Sequence, residues 1–325
     1  MDFTIRRGEV RDMAAILELI EELAQVKKQS NSVLVTMYDL INSGFSKSGL
    51  FISYVAEIGD KIVGFILFTK SYSITGKSLR LEDAFVSASY KKKGIGISLF
   101  SKFLEYAENT KASQLEWVLQ ERFQNLLELY RESGAEVLDN LNVYQLNKED
   151  IQRILSENKT AIENVDIDGV VVREGEMRDM ASVLELIEEL CKEKNTPCEI
   201  DIYDLMKDGF AKKNYFRTIV AAINEEVIGV ILFYDSFSTL KGRSSIIEEL
   251  YVKPMYRDKE AGKLLSNSFF EYANKNKINR IIQIVSSEDK LTISRNVFFG
   301  AKKIEGLKVI RMTKVELDKF INSKA

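Results

Sequence analysis

The feature that most constrains this chain is a repeat. Gly8-Glu9-Val10-Arg11-Asp12-Met13-Ala14, followed by Leu17-Glu18-Leu19-Ile20-Glu21-Glu22-Leu23, returns as Gly175-Glu176-Met177-Arg178-Asp179-Met180-Ala181 and Leu184-Glu185-Leu186-Ile187-Glu188-Glu189-Leu190. Tyr38-Asp39-Leu40 with Gly44-Phe45 returns as Tyr203-Asp204-Leu205 with Gly209-Phe210, and Val63-Gly64 with Ile66-Leu67-Phe68 returns as Ile228-Gly229 with Ile231-Leu232-Phe233. Matching positions lie about 166 residues apart throughout. A period of that size is a whole domain, so one domain is present twice. The 325 residues suffice for two units that each bury a core. We place the units at 1–155 and 170–325, with a polar linker over 156–169.

Each half alternates strand and helix patterns, which marks an α/β fold. Phe3–Arg6 is a short strand. Met13, Ile16, Leu17, Ile20 and Leu23 share one helix face, and Asp12 is a candidate N-cap. A second helix over Met37–Ile41 should stop at Ser43-Gly44. Phe51–Glu57 and Lys61–Phe68 form a hairpin around Ile58-Gly59-Asp60. Gln114–Leu119 is a strand, Phe123–Ser133 a helix ended by Gly134, and Glu136–Leu146 the final strand or strand pair of the first unit. Lys148–Leu155 closes it as a short helix. Glu18, Glu21 and Glu22 read as a solvated helix face.

Composition removes several classes of function. A net charge of −3 gives no basis for binding nucleic acid or an anionic membrane. The first residues lack the apolar core of a signal peptide, and no apolar run reaches membrane-spanning length, so a cytoplasmic protein is expected. Cys191 and Cys198 have no metal-motif spacing and read as reduced thiols. No histidine occurs anywhere, which excludes a Ser-His-Asp triad and histidine metal ligation. No metal is expected. Proton transfer must use carboxylate, Tyr, Lys, Cys or water.

The chemistry concentrates in Leu81–Ser98. An apolar strand carries adjacent carboxylates, Glu82 and Asp83; a polar turn follows, and Lys91-Lys92-Lys93-Gly94-Ile95-Gly96 opens an amphipathic helix. The N–H groups of a helix start are unpaired and sit at the positive end of the dipole, where a phosphate fits. Gly94 and Gly96 lack the Cβ that would hold a pyrophosphate off the backbone. The spacing is neither a dinucleotide fingerprint nor a P-loop.

This loop resembles the acetyl-CoA loop of the GNAT acetyltransferases, Arg/Gln-x-x-Gly-x-Gly/Ala, with Lys91 in the first place. Gly44-Phe45, Val63-Gly64-Phe65, Gly76-Lys77, Leu81-Glu82-Asp83-Ala84-Phe85-Val86, Tyr90 and Tyr130 with Gly134-Ala135 extend the resemblance to the spermidine/spermine and thialysine N-acetyltransferase branch. In the second half Phe237-Ser238-Thr239 and Gly242-Arg243 are similar to the same branch. The resemblance implies two tandem GNAT domains, each a mixed twisted sheet flanked by helices. It implies transfer of an acetyl group from acetyl-CoA to a primary amine of a small molecule, a polyamine, diamine or thialysine. Glu82 would accept the amine's proton and Tyr130 would protonate the departing thiolate. Ala84, Phe85 and Val86 would hold the pantetheine arm, and Lys91 through Lys93, Gly94, Ile95, Gly96, Ile97 and Ser98 the pyrophosphate. Glu82, Asp83, Glu116 and Trp117 would contact the amine.

There are departures from the family pattern. Arg122 and Phe123 stand where Trp-Asn is usual, and Val26 and Lys27 replace a Tyr-Glu pair that helps hold a polyamine. A lysine there repels such a substrate, leaving Asp83 as a cation partner. In the second half Glu248-Glu249 match the carboxylates, but Glu260 replaces the first loop glycine and Asn296 the tyrosine. That half is expected to be weakly active or inactive, and to pair with the first as the two subunits of a family homodimer do; further self-association of the chain is compatible with this. The rival expectation is an inactive tandem module that binds acyl-CoA or a protein.

Overall fold

The computed structural model describes residues 2–47, 49–158, 169–212 and 214–322, so most of the expected linker lies outside the described residues. The first half contributes strands β1 (Thr4–Arg7), β2 (Phe51–Ile58), β3 (Lys61–Ser73), β4 (Gly76–Val86), β5 (Gln114–Gln120), β6 (Glu136–Leu138) and β7 (Leu141–Asn147). Its helices are α1 (Met13–Val26), α2 (Met37–Phe45), α3 (Ile95–Thr110), α4 (Gln124–Glu132) and α5 (Lys148–Asn158). The second half supplies β8 (Val170–Glu174), β9 (Arg217–Ile223), β10 (Glu226–Ser238), β11 (Gly242–Val252), β12 (Arg280–Ser286), β13 (Lys302–Lys303) and β14 (Leu307–Thr313). Its helices are α6 (Met180–Lys194), α7 (Ile202–Gly209), α8 (Ala261–Lys275), α9 (Lys290–Phe298) and α10 (Lys314–Asn322).

Two local expectations change. Asp12 does not cap α1 through its side chain. Its carboxylate takes two bonds from Arg6, 2.7 and 2.8 Å, and one from the Glu9 N–H, which staples β1 to the helix start. Asp179 repeats this with Arg173 at 2.6 and 2.8 Å. Gly44 does not stop α2, which runs through it to Phe45. Its role is close approach, since a Cβ there would lie 2.5 Å from the Phe51 ring. The hairpin at Gly59-Asp60 forms as read, with Gly59 at φ +57°.

The larger change concerns the last strands. The two seven-stranded sheets run β1-β2-β3-β4-β5-β14-β6 and β13-β7-β12-β11-β10-β9-β8. The expected final strand of the first unit, β7, therefore leaves it and inserts between β12 and β13, and β14 returns the exchange between β5 and β6. Each strand carries its following helix with it: Leu317 of α10 packs in the first core, Ile151 and Ile154 of α5 in the second. Val309, Ile310 and Met312 of β14 are fully buried. At about 1.5–3 kcal/mol per buried apolar side chain, these three contribute stability of the order of 5 kcal/mol.

The hairpin tips also cross between the halves. Tyr72 packs on Phe216 at 4.3 Å and Phe237 on Phe51 at 4.9 Å, at matching positions of the repeat. The Leu34 N–H donates to the Leu240 carbonyl, and the Glu199 N–H to that of Ile74. The two mixed sheets with their flanking helices thus form one intramolecular pair.

Candidate active site

In each sheet, the two parallel central strands separate part-way along. β4 and β5 pair only from Ser78 with Gln114 to Leu81 with Trp117. Beyond that point, residues 83–86 keep their ladder to β3 but turn an unpaired edge toward β5. The register between β3 and β4 shifts so that Leu67 faces Asp83 and Phe68 faces Leu81. Glu82 is the extra residue of this bulge, which re-aims its side chain where the strands part.

Glu82 is gripped from both halves. Its Oε1 accepts from the Ser236 hydroxyl at 2.9 Å and lies 3.3 Å from Arg80 Nε. Arg280, at the start of β12, places Nη2 3.3 Å from the other oxygen. Arg80 then bonds Glu116 at 2.7 Å, and Glu116 accepts from Arg311 of the exchanged β14 at 3.0 Å. Glu82 and Arg80 are almost fully buried, so five alternating charges run between the halves with little solvent screening. Asp83 is not a free cation partner: Lys27 and the Thr239 hydroxyl both bind it.

Tyr130 of α4 stands edge-on to Trp117, ring centres 4.8 Å apart, with Phe100 behind it at 5.7 Å. Burial, and then the charge of Asp83, push its hydroxyl up to about 12, so it stays protonated at neutral pH. Among the described residues, the Trp117 Nε1–H beside it is buried without a partner.

The loop after β4 leads into α3. Gly94 is its N-cap at φ +79°, and a Cβ there would meet nothing within 4 Å. The first intrahelical bond comes from Ser98, which leaves the N–H groups of Ile95, Gly96 and Ile97 without helical partners. Lys91 lies over the Phe85 ring, and Lys91, Lys92 and Lys93 are exposed. Glu22, which reads as a solvated residue, instead accepts the Ala88 N–H and the Ser87 hydroxyl and fixes the loop. Unpaired amides, an uncrowded glycine and exposed lysines fit a diphosphate; the open β4 edge at Ala84–Val86 fits an amide-bearing arm.

The structure thus gathers Glu82, Asp83, Glu116 and Trp117 at the strand separation with Tyr130 beside them, while residues 91–98 form the helix-start loop. The sequence reading misses Arg80, Ser236, Thr239, Arg280 and Arg311. Arg80 alone carries a local signal, a charge two residues before Glu82 in an apolar strand.

The second half copies this frame with altered parts. Glu248 is the bulge residue of β11, between Leu232–Glu249 and Phe233–Ile247 pairs. Lys194 bonds Glu249 at 2.7 Å, as Lys27 does Asp83. Glu260 occupies the N-cap of α8 at φ +63° and is ion-paired to Lys263. Asn296, in the tyrosine's place, spends its amide on Gln283 and the Thr292 carbonyl, both at 2.9 Å.

This bulge and strand separation, each followed by a loop into a helix, occur twice, and the family model described as "Acetyltransferase (GNAT) family" matches residues 16–135 and 182–299. The chain belongs to the GNAT acetyltransferase family. Members of that family use acetyl-CoA as cosubstrate. The human spermidine/spermine N(1)-acetyltransferase-like protein 1 is 30% identical over 160 residues, 46% of this chain and only 23% of that protein's own length. The thialysine N-epsilon-acetyltransferase of Bos taurus is 33% identical over 143 residues, 41% of this chain and 84% of that protein. A tandem GNAT protein from the clavulanic acid biosynthesis pathway superposes with a TM-score of 0.55 at 14% identity, covering 96% of this chain and 98% of that one, which establishes the shared tandem fold. Among the described residues, no helix is long and apolar enough to cross a membrane, and no group of three or more His, Cys, Asp or Glu is placed to hold a metal.

Proposed function

We propose that the first half transfers the acetyl group of acetyl-CoA to a primary amine of a small molecule, a diamine, a polyamine or an amino acid such as thialysine. The observation that carries this reading is the convergence of Glu82, Tyr130 and the open α3 start on one strand separation. An alkyl ammonium must lose a proton before its nitrogen can attack the thioester carbon. Glu82 receives it through a water, and the Arg80 and Arg280 guanidiniums with Ser236 fix the carboxylate's position. The amine nitrogen bonds to the carbonyl carbon and gives up its second proton to water. The carbon–sulfur bond breaks, the Tyr130 hydroxyl gives its proton to the thiolate, and water restores the proton of the tyrosine. The unpaired edge at Ala84–Val86 supplies N–H groups for the pantetheine arm and the acetyl oxygen. Lys27 on Asp83 removes one anionic contact for a polycation, so a small amine is favoured over spermidine. The two free cysteines accord with a reducing compartment, the cytoplasm.

Thiol release from acetyl-CoA with spermidine, spermine, putrescine, thialysine and lysine tests the proposal. Amine-dependent release should fall about 10²-fold or more in Glu82→Gln and Tyr130→Phe, the range for loss of a general acid or base. One observation favours an inactive acyl-CoA-binding module instead: both Glu82 oxygens already have partners. Tight acetyl-CoA binding with no amine-stimulated release would establish that reading.

A further inference from the structure

The two cysteines of the chain meet at the joint between the halves. Cys191 is buried in the last turn of α6. That helix ends at Asn195, whose left-handed backbone turns the chain back, and the Thr196 N–H donates to the Cys191 carbonyl at 3.0 Å. The reversed segment brings the half-buried Cys198 against the same turn, where the two thiols interact directly. Tyr72 and Ile74 from the tip of the first half's β3–β4 hairpin pack in this cluster beside Ile200. Glu199, next to Cys198, donates its N–H to the Ile74 carbonyl at 3.1 Å.

We propose that Cys191 and Cys198 are a modification site, oxidised by a small-molecule disulfide to an intramolecular disulfide that staples this joint. Packing alone does not require thiols here, as the first half shows. Its Gln29 N–H donates to the Ala24 carbonyl as Thr196 does to Cys191, and Leu34 bonds Leu240 as Glu199 bonds Ile74. Ala24 and Val33 therefore stand in the places of the two cysteines, and apolar side chains fill that joint. Only the second-half joint carries two sulfurs in contact.

The exchange has a defined order. Thr196, Pro197 and Glu199 are exposed around Cys198, so an oxidant reaches this sulfur first. The Cys198 thiol loses its proton and attacks one sulfur of the small disulfide, which forms a mixed disulfide and releases one thiolate. Cys191 then loses its proton, and its sulfur attacks that of Cys198 and displaces the second small thiolate. Two S–H bonds become one S–S bond, and the oxidant is reduced to two thiols. Burial, then Cys198 beside it, push the Cys191 thiol up to about 11, so it stays protonated at neutral pH and is a poor attacker of anything in solution. Its contact with Cys198 offsets that small thiolate fraction for one target alone. In a reducing compartment both side chains stay thiols, and the staple forms when the thiol pool is oxidised.

Oxidised glutathione on the pre-reduced full chain tests this, followed by alkylation of the remaining thiols with iodoacetamide and intact-mass measurement. Expected is a monomer two hydrogens lighter than the reduced chain, with no alkylated thiol. Trypsin cuts after Lys192 and Lys194 and so separates the two cysteines; the digest should hold their peptides joined until a reductant is added. Two glutathione adducts, a disulfide-linked dimer, or two thiols still open to alkylation in the unfolded chain after oxidation overturns the site. The bond closes a ring of about eight residues, so the oxidised chain should melt roughly 2–5 °C higher than the reduced one. Cys198→Ser, which keeps a side chain of similar size, should show neither the joined peptides nor the shift on oxidation. A bond that forms without raising the melting temperature overturns the staple, and a shift that persists in Cys198→Ser assigns it to something other than this pair.

Discussion

Single charges in this molecule act through partners on the other half. Arg280 reaches Glu82 from 198 positions away in sequence, and both side chains are largely removed from water. Stripping one member from a buried pair costs about 3–5 kcal/mol because the remaining charge stays desolvated. Arg280→Ala should therefore destabilise the chain by about 3 kcal/mol, since Arg80 and Ser236 still hold the carboxylate. In urea denaturation, a double-mutant cycle with Glu82→Gln should give a coupling of at least about 1 kcal/mol; additive effects would show that the pair is only a neighbourly contact. Glu248 gives a pH-dependent case. Its carboxyl titrates higher folded than unfolded, so the folded state holds the extra proton. That contribution is complete below the ordinary glutamate range and is lost as pH rises toward about 8. Glu248→Gln should accordingly raise the melting temperature relative to wild type at pH 8–9 and have little effect at pH 4–5. A difference independent of pH would mean that the carboxyl is not buried in its protonated form.

At the scale of elements, the repeat, the hairpins and the loop helices are legible because periodicity, glycine and turn chemistry are local. The bulge carboxylates are legible through the Leu-Glu-Asp run. The strand exchange is not. Leu141–Asn147 buries its third, fourth and sixth residues, and its equivalent 166 residues later buries the same three, so neither pattern says which β-edge the strand joins. The partners of Glu82 and Asp83 are hidden for the same reason, because Ser236, Thr239 and Arg280 come into reach only once the halves pair. The exchange has a direct consequence for dissection. Residues 1–155 alone leave β5 and β6 without the strand that joins them, and lose burial of the order of 5 kcal/mol against a typical total of about 5–15. That fragment should lack a cooperative melt by circular dichroism. Mixing it with residues 170–325 should restore one, along with the amine-dependent thiol release. A cooperative, fully active monomer of 1–155 would contradict this account.

At the scale of the molecule, two copies of one domain have become unequal while remaining mechanically joined. The first keeps an uncrowded glycine, exposed lysines and a buried tyrosine hydroxyl. The second has Glu260 in the glycine's place, Arg257 held by Glu193 in that of Lys91, and Asn296 in that of the tyrosine. Neither half's sheet is complete without the other, so loss of activity in one does not release it from a structural role. Substitutions in the second half that loosen β14, such as Ile310→Asp, are expected to abolish first-half turnover through unfolding; thermal melts and thiol release should therefore decline together.

The position of β14 also sets a schedule for synthesis. β5 ends at Gln120, and the strand that covers its edge begins at Leu307. At about 5–20 residues per second, the ribosome needs of the order of ten to forty seconds to cross that interval. Throughout it, β5 and β6 emerge with apolar faces and unpaired edges, a template for pairing with a neighbouring nascent chain. A strand that closes a sheet across most of the chain thus makes this protein dependent on holding its first half open, unaggregated, until its last elements are made.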